Sequence, residues 1–279
     1  MKRMLSILII VSLLGIGIPT VFRTIHRRIV GVNSGVTLNG RNMEYYYPKE
    51  VRIIVEQFAR SMNQEPINAS LEKVTGSIVP EKNGLIVDID KTVYDVIHAP
   101  AGSQLTVSII EVLPEFRKEH LELLTDILGD FSTPLMGGPG RINNLKLSLA
   151  AMNNTIVMPG EVFSFNEVVG ERTEEKGYKH APIILGETVV PGVGGGVCQI
   201  STTLYNAVKR AGLEIVERSI HSLPPSYIRH GDDAAVAWPY TDFKFRNNRS
   251  TAIIVKAEPQ GWRARVWIVG IDEEEEGAR

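Results

Sequence analysis

One cysteine, Cys198, stands in this chain, so no internal disulfide is possible and the fold must be held by its core. Hydrophobic residues at 43% allow that core to be substantial, and 279 residues leave room for one large or two modest domains. Net charge is nearly absent too. A formal −2 at pH 7 excludes bulk electrostatics as a basis for binding nucleic acid. The six histidines are scattered and none stands at metal-ligand spacing to the cysteine, so neither a metal site nor a cofactor is expected. A long run both free of charge and rich in branched apolar residues stands at the N-terminus.

There, nineteen residues from Met4 to Phe22 carry no charge and are rich in Leu, Ile and Val. At about 1.5 Å per residue they nearly span a hydrocarbon core of roughly 30 Å. No small-x-small cleavage site follows, which predicts an uncleaved signal anchor, with 1–30 as anchor and flank. Lys2 and Arg3 precede this stretch, whereas Arg23, Arg27 and Arg28 follow it, so charge alone leaves the orientation open.

The rest of the chain divides in two, and the expected class is α+β. Residues 31–114 read as a small α+β module. Pro48 opens a helix with Val51, Val55, Phe58 and Met62 on one stripe, and Asp90 is the expected N-cap of a second helix ending at Ile97. Short strands are expected at Ile67–Leu71, at Gly84–Val87 and from Leu105 to Leu113. This module has no paired carboxylates, no histidine beside a nucleophile and no phosphate loop, as a binding or spacer module would have it. Residues 115–140 read as a linker, a charged helix followed by Pro and Gly. Residues 141–270 read as a second domain of mixed short strands and helices, with hairpin turns at Asn247-Asn248 and Gln260-Gly261, and 271–279 as an acidic tail.

Within the second domain, Gly194-Gly195-Gly196 runs directly into Val197-Cys198-Gln199-Ile200-Ser201-Thr202-Thr203-Leu204, whose apolar spacing predicts a helix stopped at Gly212. A thiol in the first turn feels the positive end of the helix dipole, which favours thiolate. Unpaired amides of the glycine turn, at Gly195 and Gly196, are suited to an oxyanion. A small cysteine packed where a helix meets a tight turn is the competing reading, and this segment alone does not separate the two.

Several separated motifs carry a family resemblance. Pro159-Gly160-Glu161, Phe163-Ser164-Phe165-Asn166, Gly170-Glu171-Arg172-Thr173, Gly177-Tyr178, the glycine–cysteine run, Glu217-Arg218, His221-Ser222, Tyr227, Gly231-Asp232-Asp233-Ala234 and Asp242-Phe243 occur in the order found in the VanW family. The match covers nearly all of 141–270, and the module before it is similar to the peptidoglycan-binding-like domain that often precedes a VanW domain. The resemblance implies an extracytoplasmic protein of the cell membrane, single-pass, acting on peptidoglycan or its stem peptides. Some clostridial VanW proteins are L,D-transpeptidases that use the domain's cysteine, so it also implies a cysteine-dependent acyl transferase. A non-catalytic wall-binding or assembly module is the alternative.

An acyl-transferring cysteine needs a base, and the base needs an orienting acceptor. His221 lies 23 residues after Cys198, beyond one helix and one strand, and falls on a family motif. Asp233 is the expected acceptor for its ring, with Ser222 as the alternative. Arg172 and Arg218 can fork around stem-peptide carboxylates or form structural salt bridges. Gln199, Ser201 and Thr202 can line the site or cap the helix, and Tyr178 and Tyr227 can wall the pocket or pack in the core.

Overall fold

The computed structural model describes residues 21–186 and 188–272. The charge-free stretch expected to anchor the protein lies almost wholly outside these residues, as do 273–279 of the acidic tail. Among the described residues, no helix is long and apolar enough to cross a membrane. Seven helices and several small sheets among the described residues give a mixed α+β architecture in two compact units.

The first unit comprises the described residues up to Asn68 together with Glu81–Glu115. It opens with helical residues 21–30 (α1), then β1 (Thr37–Leu38), β2 (Arg41–Asn42) and α2 (Pro48–Met62). Pro48 sits at the start of α2, and the Glu50 carboxylate accepts the Tyr47 amide at 2.8 Å, the reciprocal cap that fixes where a helix begins. The chain next makes a hairpin, β3 (Ser70–Leu71) and β4 (Ile78–Val79), which belongs to the second unit. It returns as β5 (Gly84–Val87), α3 (Ile89–His98), β6 (Gln104–Leu105) and β7 (Ile109–Val112). The N-cap of α3 is Asp88, whose side chain accepts from the Lys91 amide at 2.9 Å; Asp90, expected in that role, sits inside the first turn. Two carboxylates two residues apart compete for one cap, and the one with extended backbone takes it. The single strand expected at Leu105–Leu113 is split. Its first part pairs with β1 and its last with β5, while Asn39 Oδ1 and Thr92 Oγ1 accept the amides of Val107 and Ser108 between them.

The second unit continues with α4 (Lys118–Glu122), β8 (Asp126–Pro134), α5 (Pro139–Met152), β9 (Thr155–Val157), β10 (Val162–Ser164), α6 (Phe165–Val169), β11 (His180–Leu185), β12 (Thr188–Val193), α7 (Val197–Arg210), β13 (Glu214–Glu217), β14 (Lys244–Arg246), β15 (Ile253–Gln260) and β16 (Arg263–Gly270). An antiparallel sheet in the order β8-β16-β15-β9 carries α7 against β8 and β16, and α5 against β15. A second sheet, β10-β14-β13, adds Phe163 and Phe245, which with Phe165, Leu145, Leu149, Ile200 and Leu204 fill the core. Helix α7 is buried nearly all round from Val197 to Val208, polar residues included.

Two sequence expectations are overturned. Residues 115–140 are not a linker, because β8 runs nine residues through them and pairs along its length with β16. The strand was hidden because its inward positions are Gly129, Phe131 and Thr133, a small, an aromatic and a polar residue in place of a branched apolar series. Asn247-Asn248 is not a hairpin turn either, since β14 and β15 belong to different sheets. Asn247 is fully buried there, its amide donating to the carbonyls of Val157 and Thr251 and so tying the two sheets together. The turn expected at Gln260-Gly261 lies one residue later, at Gly261-Trp262, where it joins β15 to β16, because Gln260 still pairs with Arg263.

Gly129 is where β8 receives α7. A Cβ at this position would stand 2.2 Å from the Ala207 carbonyl oxygen and 2.6 Å from the Ala211 nitrogen, both backbone atoms of the helix end. Gly129→Ala is therefore expected to destabilise the protein by about 1–3 kcal/mol. Urea unfolding checks this through a lowered midpoint; an unchanged midpoint would mean that α7 does not seat against β8 so closely.

Candidate active site

Gly196 begins α7 as its N-cap with φ +106, a conformation that glycine alone adopts without strain, and the turn before it is packed tightly. A Cβ on Gly195 would stand 2.4 Å from the Ala181 carbonyl oxygen, so this residue serves close approach to β11 and does not face the cleft. The turn is held from α5. Asn144, wholly buried, donates to the carbonyls of Gly195 and Lys179 and accepts the Lys179 amide at 2.8 Å. The turn carbonyls of Gly194 and Gly196 take the amides of Val197 and Gln199, leaving the Cys198 amide without a backbone acceptor at the head of the helix.

The opposite side of α7 is polar, and its hydroxyls clamp the segment 232–236. Ser201 Oγ donates to the Ala234 carbonyl at 2.6 Å, Thr202 Oγ1 accepts the Ala234 amide at 3.0 Å, and Asn206 Nδ2 donates to the Asp232 carbonyl at 2.8 Å. Cys198 continues the same seam. Its Sγ lies 3.3 Å from the Val236 carbonyl oxygen and 3.5 Å from the Val236 nitrogen. Arg218 supports the segment from behind. Its Nε donates to the Asp233 carbonyl at 2.8 Å, another guanidinium nitrogen donates to the Gly231 carbonyl, and the group lies 4.2 Å over the Tyr205 ring.

This seam brings Asp233 to His221. One carboxylate oxygen accepts both the His221 backbone amide at 2.7 Å and its ring Nδ1 at 2.6 Å, with both side chains nearly buried. A carboxylate only accepts, so Nδ1 carries the proton and Nε2 is the nitrogen left for the thiol. Burial pushes the Cys198 pKa up, but the hydrogen bond with His221, the contact with the Val236 backbone and the charges of His221 and Arg172 together bring it below its ordinary value. Burial likewise pulls His221 down, and its bonds and charge interactions with Cys198 and Asp233 raise it overall. Asp233 is held below the usual carboxylate range by the two His221 donors, against the opposing effect of burial. All three shifts favour the charged forms of the thiol, the imidazole and the carboxylate.

The pair opens on a cleft of about 400 Å³ that is also lined by Arg172, Gly196, Gln199, Tyr227 and Trp238. Of the expected substrate contacts, Arg172, Gly196, Gln199 and Tyr227 thus reach it, whereas Gly195, Ser201 and Arg218 are spent on packing and on the seam. Gln199 is buried with its amide fully engaged: its oxygen accepts from Arg141 at 2.7 Å, and its nitrogen donates to Thr133 Oγ1 and the Pro134 carbonyl. Ser222 is no partner for the imidazole, because its hydroxyl donates to the Gly186 carbonyl at 2.6 Å. Tyr178 is a core residue. Sequence reasoning missed Arg141, Asn144 and Trp238. The buried pair Asn144 and Ser148, four apart beside the Leu145–Leu149 stripe, was the available signal: polar residues on a helix face that packs inward.

Two family models match the chain. One described as "VanW like protein" matches residues 140–269, and one described as "Putative peptidoglycan binding domain" matches residues 29–108. The chain is 39% identical over 212 residues to the uncharacterized protein YoaR of Bacillus subtilis, spanning 74% of this chain and 70% of that protein. It is 31% identical over 113 residues to the vancomycin B-type resistance protein VanW of Enterococcus faecalis, spanning 39% of this chain and 41% of that protein. No solved structure matches. With residues 140–269 matched to the VanW model, the glycine–cysteine turn at the head of α7 within them and a peptidoglycan-binding-like domain before them, the chain belongs to the VanW family.

Proposed function

We propose that this protein is a cysteine-dependent acyl transferase of the cell wall that acts on peptidoglycan stem peptides, in the manner of an L,D-transpeptidase. A VanW domain preceded by a peptidoglycan-binding-like domain supports a cell-wall-related function. The observation that carries the enzymatic step is the Cys198–His221–Asp233 relay opening on a cleft, with the thiol pKa lowered and the imidazole pKa raised.

In the first half-reaction the Cys198 thiolate attacks the carbonyl of a donor peptide bond. The C–S bond forms, the C–N bond breaks, and the His221 imidazolium gives its proton to the departing amine of the terminal residue. In the second, an acceptor amine attacks the thioester, His221 takes its proton, the new C–N bond forms and the thiolate is restored. Asp233 fixes the tautomer and orientation of the ring throughout. The Cys198 amide at the head of α7 is suited to the oxyanion of both tetrahedral intermediates. The charge-free stretch Met4–Phe22 and the wall-related family support a membrane-held protein with both folded units outside the cytoplasm.

Three outcomes are expected. The rate of alkylation of Cys198 against pH has its midpoint below the free-thiol value of about 8.5, and His221→Ala moves it upward, because burial then acts on the thiol with less to oppose it. A midpoint at or above the free value in the unmodified protein marks a structural cysteine.

Incubation with a stem tetrapeptide and a D-amino acid, followed by mass spectrometry, yields a thioester adduct on Cys198 and an exchanged peptide. Cys198→Ala abolishes both at a stability cost of about 1 kcal/mol. His221→Ala lowers turnover by about 10²–10⁴, and Asp233→Asn lowers it less. If the unmodified protein gives neither product yet binds isolated peptidoglycan as tightly as Cys198→Ala, it is a non-catalytic wall-binding module.

Protease added to intact protoplasts digests both folded units; full protection places them in the cytoplasm and overturns the topology.

A further inference from the structure

The cleft beside Cys198 is lined by a residue with a polar group that is not satisfied among the described residues. One guanidinium nitrogen of Arg172, Nη2, is buried without a hydrogen-bond partner there, and Tyr227, whose hydroxyl lies by Thr202, lines the same cleft. Buried polar groups are almost always paired, so an orphaned guanidinium nitrogen on a cleft-lining residue marks a group kept open for a ligand.

Arg172 is fixed in this posture. Its Nη1 donates to Asn166 Oδ1 at 2.7 Å, and its guanidinium lies 5.3 Å over the Phe165 ring. Asn166 is itself held by the buried Asp242, whose carboxylate accepts the Asn166 amide at 2.9 Å and the Ser164 hydroxyl at 2.6 Å. One side of the fork is thereby occupied and the other is left unpaired, and although burial lowers the Arg172 pKa, a guanidinium stays charged in proteins. Tyr227 is shifted the opposite way, upward by burial, so its hydroxyl stays a donor at all working pH values. A fixed cationic donor with one nitrogen unpaired suits a ligand with acceptor oxygens and a negative charge. A carboxylate meets that description.

We infer that Arg172, with Tyr227, is the carboxylate-recognition subsite of this cleft, and that the donor is a peptide whose free C-terminal carboxylate lies beside the bond that Cys198 attacks. This deepens the acyl-transferase proposal, because it makes the protein selective for peptide ends over internal bonds and for acids over amides. Arg218, the other arginine considered for this role, donates from two guanidinium nitrogens to backbone carbonyls and is not among the residues that line the cleft.

Two measurements test the subsite. In the first, Cys198→Ala protein binds a stem tetrapeptide with a free C-terminal carboxylate at least about tenfold more tightly than the same peptide as its C-terminal amide, as one charge-assisted hydrogen bond requires. Equal affinity for acid and amide overturns the inference. Because no reaction is involved, a clear preference with no acyl transfer in the unmodified protein leaves the subsite standing while the enzymatic proposal falls. In the second, the alkylation rate of Cys198 by iodoacetate is divided by that by iodoacetamide at one pH, which cancels the thiolate fraction. The ratio exceeds that of free cysteine in the same buffer, Arg172→Met returns it toward the free value, and Arg172→Lys retains part of the excess. A ratio unchanged by Arg172→Met, or no higher than that of free cysteine, overturns the inference. The acid–amide comparison leaves Arg172 in place, so the inference stays testable even if Arg172→Met fails to fold.

Discussion

The hydrogen-bonded seam between the hydroxyl face of α7 and the segment 232–236 is the constraint on which the site depends. A helix of a small α+β domain ordinarily buries one face and presents the other to water. Here the apolar face, with Ile200, Leu204 and Val208, enters the core, and Ser201, Thr202 and Asn206 on the other side are also buried. Those side chains are satisfied by backbone groups of Asp232 and Ala234, in place of solvent. The segment has little regular structure of its own. Its position, and with it that of Asp233 and Val236, is therefore set by α7. The cysteine, one turn earlier on the same helix, needs only the helix itself to meet them.

The electrostatics follow from this arrangement. Desolvation acts against every charged form in the site, as the opposing shifts on Cys198, His221 and Asp233 show, and only mutual pairing reverses it. The carboxylate would be costly to bury without its two donors from His221. The carboxylate in turn favours the charged imidazole, and the imidazole favours the thiolate over the thiol. The three groups titrate as a unit, and their ionised state belongs to the assembly more than to any member.

Much of this was legible in the sequence, and for a physical reason. The glycine turn, the helix after it and the apolar stripes of α2 and α5 are local features, written in neighbouring residues. Cys198, His221 and Asp233 were singled out through chemical type and motif order; His221 is bonded to Asp233, and Cys198 and His221 line one cleft. What was hidden is non-local. Strand β8 could not be seen in 126–134 because its inward face is defined by what it packs against: Gly129 under the end of α7 and Thr133 hydrogen-bonded to Thr203 at 2.8 Å. Ser201, Gln199 and Arg218 were read for their functional groups, but only the fold reveals that those groups are already consumed. Arg172 and Arg218 are equally good carboxylate forks on paper. A buried nitrogen without a partner separates them, and no local pattern encodes that.

Cys198 is the sole sulfhydryl of this sequence and is partly open to the cleft. Thiolate character makes a sulfur easier to oxidise as well as more nucleophilic. Many oxidant-exposed thiolates are protected by a neighbouring cysteine that captures the sulfenic acid as a disulfide before it is lost to higher oxides. With no second cysteine in the sequence, a sulfenate formed on Cys198 has no resolving partner in the molecule. Its repair depends on a thiol supplied from outside, and in an oxidising surrounding without one, oxidation runs on to the sulfinate and stays there.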